Sequence, residues 1–159
     1  MLDDTDIEIL RLLQADGRIS NADLAQQVGL TPPTVLRRVK LLEERGYIKG
    51  YTTLLDPILL GLPVTAFIFV ETVASCDLDE LAGWLNRLPE VQEAHRVIGE
   101  WCFLLKVRTH SPQTLEDLLH RILRKHPGIR RTQTTLATSS VRESCMLPLG
   151  SADPLQREQ

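Results

Sequence analysis

The sequence predicts an α+β chain in two parts: an N-terminal helix-turn-helix (winged-helix-like) domain, then a ferredoxin-like βαββαβ domain. Three observations predict it. Residues 2 to 50 carry three short helical patterns with capping residues at their starts and glycines beyond their ends. From Val64 onward, β-branched and aromatic runs alternate with Leu-rich helical patterns in the order β-α-β-β-α-β. Between the two, DPILLGLP at 56–63 reads as a linker, bracketed by Pro57 and Pro63 with Gly61 inside. The expected divisions are a first domain over 1–52, a linker over 53–63, a second domain over 64–143 and a tail over 144–159.

The first helix is expected around Asp4 to Gln14, where Ile7, Leu10 and Leu13 fall three apart and form one apolar stripe. The second opens at Ser20, with Asp23 three residues later in the manner of a capping box. It buries Leu24, Ala25 and Val28 and breaks at Gly29. The third opens with Thr31 as N-cap and Pro32 at the first helical position, where no N–H is needed. It buries Val35, Val39 and Leu42 and stops at Gly46. YIKGYTTLL at 47–55 suits a short β-ribbon with Gly50 between its arms. The apolar content of the linker predicts that it packs against something.

In the second part, VTAFIFVETV reads as a strand, and LDELAGWLNRL as a helix with Leu78, Leu81, Leu85 and Leu88 on one face. VQEAHRVIG alternates like a half-exposed strand, and CFLLKVRT is a third. LEDLLHRILRKH turns Leu115, Leu118, Leu119, Ile122 and Leu123 inward and ends at Pro127-Gly128. IRRTQTTLATSSV is the last strand. In the ferredoxin-like plan both helices lie on one face of an antiparallel sheet, so the other face needs cover. Phe67, Phe69 and Phe103, with several Val and Leu residues, are expected to make that face an association surface. The polar tail from about Glu143 is expected to be loosely ordered.

Composition narrows the function classes. Apolar residues make up 43% of the 159, and charged residues 25%, which argues against disordered and fibrous classes. No apolar run approaches the roughly 20 residues of a membrane span, and the acidic MLDDTD start does not read as a signal peptide. Cys76, Cys102 and Cys145 are odd in number and widely spaced, which fits neither a disulfide framework nor a zinc site. A cytoplasmic location follows as the expectation. His95, His110, His120 and His126 lack ligand spacing, and no nucleophile–base, P-loop or dinucleotide motif is present. No metal, cofactor or catalytic residue is therefore expected, and the chain is expected not to be an enzyme.

The net charge of −3 excludes a chain that is basic all over, but nucleic-acid binding needs only a local patch. In a helix-turn-helix the last helix enters the major groove by its N-terminal part. Here that helix carries Arg37, Arg38 and Lys40, and arginine can hold guanine bidentately or grip phosphate. Thr31, Pro33 and Thr34 at its start suit phosphates or thymine methyls. Five basic residues against two acidic ones lie between Arg37 and Lys49, while Asp3, Asp4, Asp6 and Glu8 hold acidic charge elsewhere. The same stretch would also suit an ordinary solvated helix; the arrangement of all three capped helices favours DNA.

ISNADLAQQVGLTPPTVLRRVKLLEERGYIKGYTTLLDP resembles the DNA-binding half of the Lrp/AsnC (leucine-responsive, feast/famine) transcriptional regulators. Gly17-Arg18-Ile19-Ser20, Leu24-Ala25, Val28-Gly29-Leu30, Arg38-Val39, Leu42-Glu43, Gly46, Ile48 and Gly50-Tyr51 match that family's pattern in register. The second half resembles the family's effector and oligomerisation domain, with Gly99-Glu100-Trp101 at its glycine–acid–aromatic turn and Thr134-Thr135 in its last strand. The resemblance spans about residues 2 to 143. It implies a sequence-specific regulator that binds double-stranded DNA at a pseudo-palindromic site. It also implies a homodimer joined through the C-terminal sheets, assembled further into octamers or similar discs. An amino acid or related metabolite is the implied effector, with Gly99, Glu100, Trp101, Thr134 and Thr135 as effector-binding residues.

One departure stands out. The family's turn usually carries an acid after the aromatic; here that place is Cys102, followed by Phe103. A thiol does not suit an ammonium group. The effector differs, or the pocket is unused, or Glu100 takes over; alternatively Cys102 is a small buried residue at a strand start. A rival reading is a tetrapyrrole (sirohaem) decarboxylase, which shares the two-part plan, although it has no need of a basic third helix.

Overall fold

The computed structural model describes residues 2–150, apart from the side chains of Leu123 and Arg124. Leu55–Arg142 forms one compact unit, and the described chain before it forms another together with the described chain from Glu143 onward.

In the first unit, helix α1 runs Asp4–Ala15, α2 Asn21–Val28 and α3 Pro32–Glu44. Asp3 caps α1: its carboxylate accepts the Asp6 amide at 2.7 Å, and Asp6 returns the bond to the Asp3 amide. Ser20 caps α2 through the Asp23 amide, but the Asp23 carboxylate takes the Ser20 hydroxyl rather than completing the box. Gly29 ends α2 at φ 68°, a left-handed conformation that favours glycine, and the Leu30 amide returns to the Ala25 carbonyl. Thr31 stands at the N-cap of α3 without a side-chain cap bond. With Pro32 and Pro33 lacking N–H groups, α3 has few donors left to cap.

The core of this unit is Ile9, Leu24, Ala25, Val35, Val39 and Leu42. Ile9 is fully buried. The Ile7, Leu10, Leu13 stripe is therefore not the whole of α1's inner face, since Leu10 and Leu13 are only partly buried. They line a cavity of about 380 Å³ with Tyr47, Tyr51, Met146 and Leu147. The ribbon expected over 47–55 does not form: those residues carry no strand. Ile48 packs on the helices and the Tyr51 hydroxyl donates to Glu43 at 3.0 Å. An isolated two-stranded ribbon without an apolar face is marginal, which accounts for the difference.

In the second unit, β1 (Val64–Thr72), α4 (Leu78–Leu85), β2 (Val91–Arg96), β3 (Phe103–Thr109), α5 (Pro112–Lys125) and β4 (Ile129–Leu136) follow the expected order. The sheet order is β2-β3-β1-β4, all antiparallel. Ala66, Ile68, Val70, Phe103, Leu105 and Val107 pack with Leu81, Leu85, Leu115, Leu118 and Ile122 in one core. Phe103 is thus under the helices and not on the open face, because β3 alternates from it through Leu105 and Val107. The open face carries Phe67 and Phe69, opposite Lys106 and Leu104 of β3 and Thr135 and Gln133 of β4. The last strand stops at Leu136, short of Val141.

The linker coils into a turn, Asp56 accepting the amides of Ile58 and Leu59. Its end is held by the His110 ring nitrogen on the Gly61 carbonyl, 2.6 Å. Yet Leu55, Ile58, Leu59 and Leu60 are all exposed, so these four do not pack among the described residues. The tail is not loose up to Leu149: the Leu147 amide donates to Gln14 and the Leu149 carbonyl accepts from Arg11. Its remainder from 151, and the inward placement of Leu123, lie outside the described residues.

Burial ranks the α1 residues energetically. Ile9→Ala, emptying a closed site, should cost about 2–5 kcal/mol in denaturant unfolding of the full chain followed by circular dichroism. Leu10→Ala should cost clearly less. Equal losses would contradict the assignment of Ile9 as the inner anchor.

Candidate functional site

The helix-turn-helix presents α3 by its outer edge. Val35, Val39 and Leu42 face the core, and Thr31, Pro33, Arg37 and Lys40 are exposed. The Thr31 and Thr34 hydroxyls are 2.8 Å apart, hydrogen-bonded to each other at the helix start. Arg37 and Lys40 form no ion pair among the described residues and are open to solvent.

Arg38 is placed differently. Its Nη1 donates to Asp3 at 2.7 Å and to Asp6 at 2.6 Å, tying α3 to the start of α1. Asp3 is held below the ordinary aspartate range, first by the Asp6 amide and then by Arg38. Arg38 is raised by Asp3 and then by Asp6. Adjacent arginines thus take opposite roles, one on the outside and one inside a carboxylate clamp. The sequence signal for this was the acidic cluster at the start of α1, of which Asp3 and Asp6 serve as cap and clamp together.

The candidate ligand turn lies in the second unit. Gly99 has φ 138°, a conformation strained for any residue with a side chain. Trp101 packs against Phe69 of the open face, ring centroids 5.7 Å apart. The Arg131 guanidinium lies over the Trp101 ring at 4.5 Å and pairs with both Glu100 and Glu71. Glu71 is correspondingly held below the usual glutamate range, chiefly by Arg131. The structure therefore brings Glu100, Trp101 and Arg131 together, and Arg131 is the residue that sequence reasoning missed. Its place two residues into β4, opposite Glu71, could be found only from the strand register.

Thr134 and Thr135 do not act as a pair. Thr135 is in register with Phe67 on the open face, whereas Thr134 is in register with Ile68 on the helix face. Cys102 turns toward the core, its thiol 3.2 Å from the Thr72 hydroxyl, which fits the small-residue reading. Among the described residues there is no cluster of three or more metal-ligating side chains, and no helix is long and apolar enough to cross a membrane.

Residues 2–49 match the family model described as winged helix-turn-helix DNA-binding, and residues 65–147 that of the Lrp/AsnC ligand binding domain. The chain belongs to the Lrp/AsnC family. It is 38% identical over 150 residues to the leucine-responsive regulatory protein of Haemophilus influenzae, covering 93% of this chain and 90% of the relative. The leucine-responsive regulatory protein of Escherichia coli K12 is also 38% identical, over 147 residues, covering 90% and 88%. Among solved structures, a transcriptional regulator of Neisseria meningitidis in complex with L-Met superposes with TM-score 0.88 at 33% identity, covering 94% of this chain and 97% of that one.

As a member of the Lrp/AsnC family the chain is a transcriptional regulator, with a DNA-binding first module and a ligand-binding second. These relatives do not favour the decarboxylase alternative.

The two arginines separate experimentally. Arg37→Ala should weaken specific DNA binding by about 1–3 kcal/mol in a mobility-shift titration at fixed salt, with thermal stability unchanged. Arg38→Ala should lower the thermal midpoint. The clamp contributes above the ordinary aspartate value of about 3.9 and is lost only as pH falls below it, because the Asp3 carboxyl is depressed in the fold. The stability gap between wild type and Arg38→Ala should therefore be flat from neutral pH to about 5 and close in stronger acid. A gap that opened toward acid would contradict the clamp.

Proposed function

We propose that this Lrp/AsnC regulator reads DNA through Thr31, Pro33, Thr34, Arg37 and Lys40, with Arg38 acting from within to fix the angle of α3. The observation that carries this reading is the split between neighbouring arginines: Arg38 is clamped by Asp3 and Asp6, while Arg37 is exposed and unpaired among the described residues. A free guanidinium on a groove-facing helix can take a guanine edge or a phosphate. A clamped one serves position better than readout. The target is a pseudo-palindromic duplex read by two copies of the chain.

The copies join through the open face of the sheet. Phe67 and the half-exposed Phe69 are the apolar residues which that face offers to a second copy. Residues 60–159 expressed alone should dimerise, and Phe69→Asp should reduce the mass seen by light scattering at micromolar concentration. A wild-type segment that ran as a monomer would refute this. An octamer or similar disc is the further assembly that the family suggests. The cytoplasm is its place of action.

The effector is a small amino acid or a related metabolite held at the turn Gly99–Trp101 with Arg131. Glu100 suits an ammonium group and Arg131 a carboxylate, with Trp101 and Phe69 beside an apolar side chain. Glu100 thus takes the role that Cys102, turned into the core, does not fill. Of the two threonines, Thr135 shares the open face and is the one within this reading; Thr134 faces the helices. The complex of the Neisseria meningitidis relative with L-Met supports an amino acid as the ligand class.

Calorimetric titration with the common amino acids tests this. At least one should bind more tightly than millimolar. Glu100→Ala and Arg131→Ala should each weaken it, leaving ligand-free DNA binding intact. If no amino acid binds, the effector reading fails while the DNA reading stands.

A further inference from the structure

The first unit is completed by a segment from the other end of the chain. Residues up to 147 match the ligand-binding family model, yet the described chain from Glu143 on belongs to the compact unit of α1, α2 and α3. The contact is specific. The Gln14 side-chain amide pairs with the peptide group of Leu147 from both sides: its Oε1 accepts the Leu147 amide at 2.7 Å, and its Nε2 donates to the Leu147 carbonyl at 3.3 Å. Arg11 donates through Nε and Nη2 to the Leu149 carbonyl, at 3.2 and 3.0 Å. Pro148, between them, has no amide to leave unpaired. The Leu149 amide closes back on the Leu147 carbonyl at 2.9 Å, giving the segment a fixed bend.

This is recognition of backbone by two side chains one turn apart on α1. Met146 and Leu147 stand at the rim of the cavity that Leu10 and Leu13 line and stay exposed, whereas Leu149 is half-buried, so the side-chain-to-backbone bonds carry the contact. None of these side chains belongs to the exposed edge of α3. The segment therefore does not cover Arg37 or Lys40; it holds α1, the helix whose first residues clamp Arg38.

We propose that Cys145–Leu149 is a strap through which the ligand-binding domain's own chain end holds the DNA-binding domain, a second covalent route besides the linker at 53–63. β4 carries Arg131 at the ligand turn, and only the short stretch from Ala137 to Ser144 separates the end of β4 from the strap. A domain held at two points of its chain is restricted in how far it can swing. In a two-fold assembly that restriction raises the effective concentration of the second recognition helix once the first has bound. The strap thus contributes to binding two half-sites and not to binding one; this rests on the two-copy DNA reading above.

The test uses the full chain, with a duplex that the wild type selects from a random pool and the same duplex with one half-site scrambled. Hydrogen exchange read by mass spectrometry should find residues 143–150 protected in the wild type. That protection should be lost in Arg11→Ala/Gln14→Ala. The double variant should lose about tenfold in affinity for the intact duplex and none for the scrambled one. A chain ending at Arg142 should behave alike. Glu8→Ala, which removes the other partner of Arg11 without touching the strap, should behave as wild type.

Free exchange of 143–150 in the wild type would overturn the proposal. So would a loosened strap with unchanged affinity for the intact duplex, or an equal loss on both duplexes, which would place the damage within the DNA-binding domain itself. A wild type that selects no duplex would sink the DNA reading, and is distinguishable because the variants then have no binding to lose.

Discussion

Helix α1 holds the rest of the DNA-binding unit in place. Its inner residue Ile9 fills the core beneath α2 and α3, and its first turn clamps Arg38. Its outer side grips the chain returning from the ligand-binding domain. α3 alone is a polar helix with one narrow apolar stripe, and such a helix is not stable in isolation. Its direction is set by burial of Val35, Val39 and Leu42 on one side and by the Arg38 clamp on another. The two fix different degrees of freedom: apolar contact is tolerant of rotation, whereas a guanidinium between two carboxylates is not.

The clamp also accounts for how an acidic chain offers a DNA-binding edge. Two of the carboxylates at the start of α1 are not left free. Asp3 and Asp6 are engaged in helix capping and with Arg38, so the charge they neutralise is within the protein. What faces outward from α3 is Arg37 and Lys40. The affinity such an edge supplies is salt-dependent, since each phosphate contact releases counterions. In the second domain a similar arrangement appears at the turn Gly99–Trp101, where Arg131 is shared between Glu71 and Glu100 over the Trp101 ring.

Much of the fold was legible because its signals are local. Capping residues, the Pro32-Pro33 start, Gly29 and the Leu spacing of α4 and α5 each act within a turn or two of chain. What the sequence concealed depends on register and on distant contacts. Ile9 lies beside the apparent stripe of Ile7, Leu10 and Leu13, and only the packing of three helices decides which residue is innermost. Phe103 looked like an open-face residue until the pairing with Val70 placed it under the helices. Thr134 and Thr135 are neighbours in sequence and therefore on opposite faces of a strand. Arg38 and Arg37 are indistinguishable by residue type, and their roles part only because Asp3 and Asp6 stand beside one of them. The tail read as loose from its polar end, although CMLPLG within it carries the peptide groups that Gln14 and Arg11 hold.

The measurement that bears most directly on the account is selection of bound duplexes from a random pool by the full chain, with and without an amino-acid mixture. The account predicts an enriched sequence with two-fold symmetry, its half-sites one helical turn or a multiple apart, and enrichment that changes when the mixture is present. Recovery of sequences with no common motif, with or without the mixture, would contradict it.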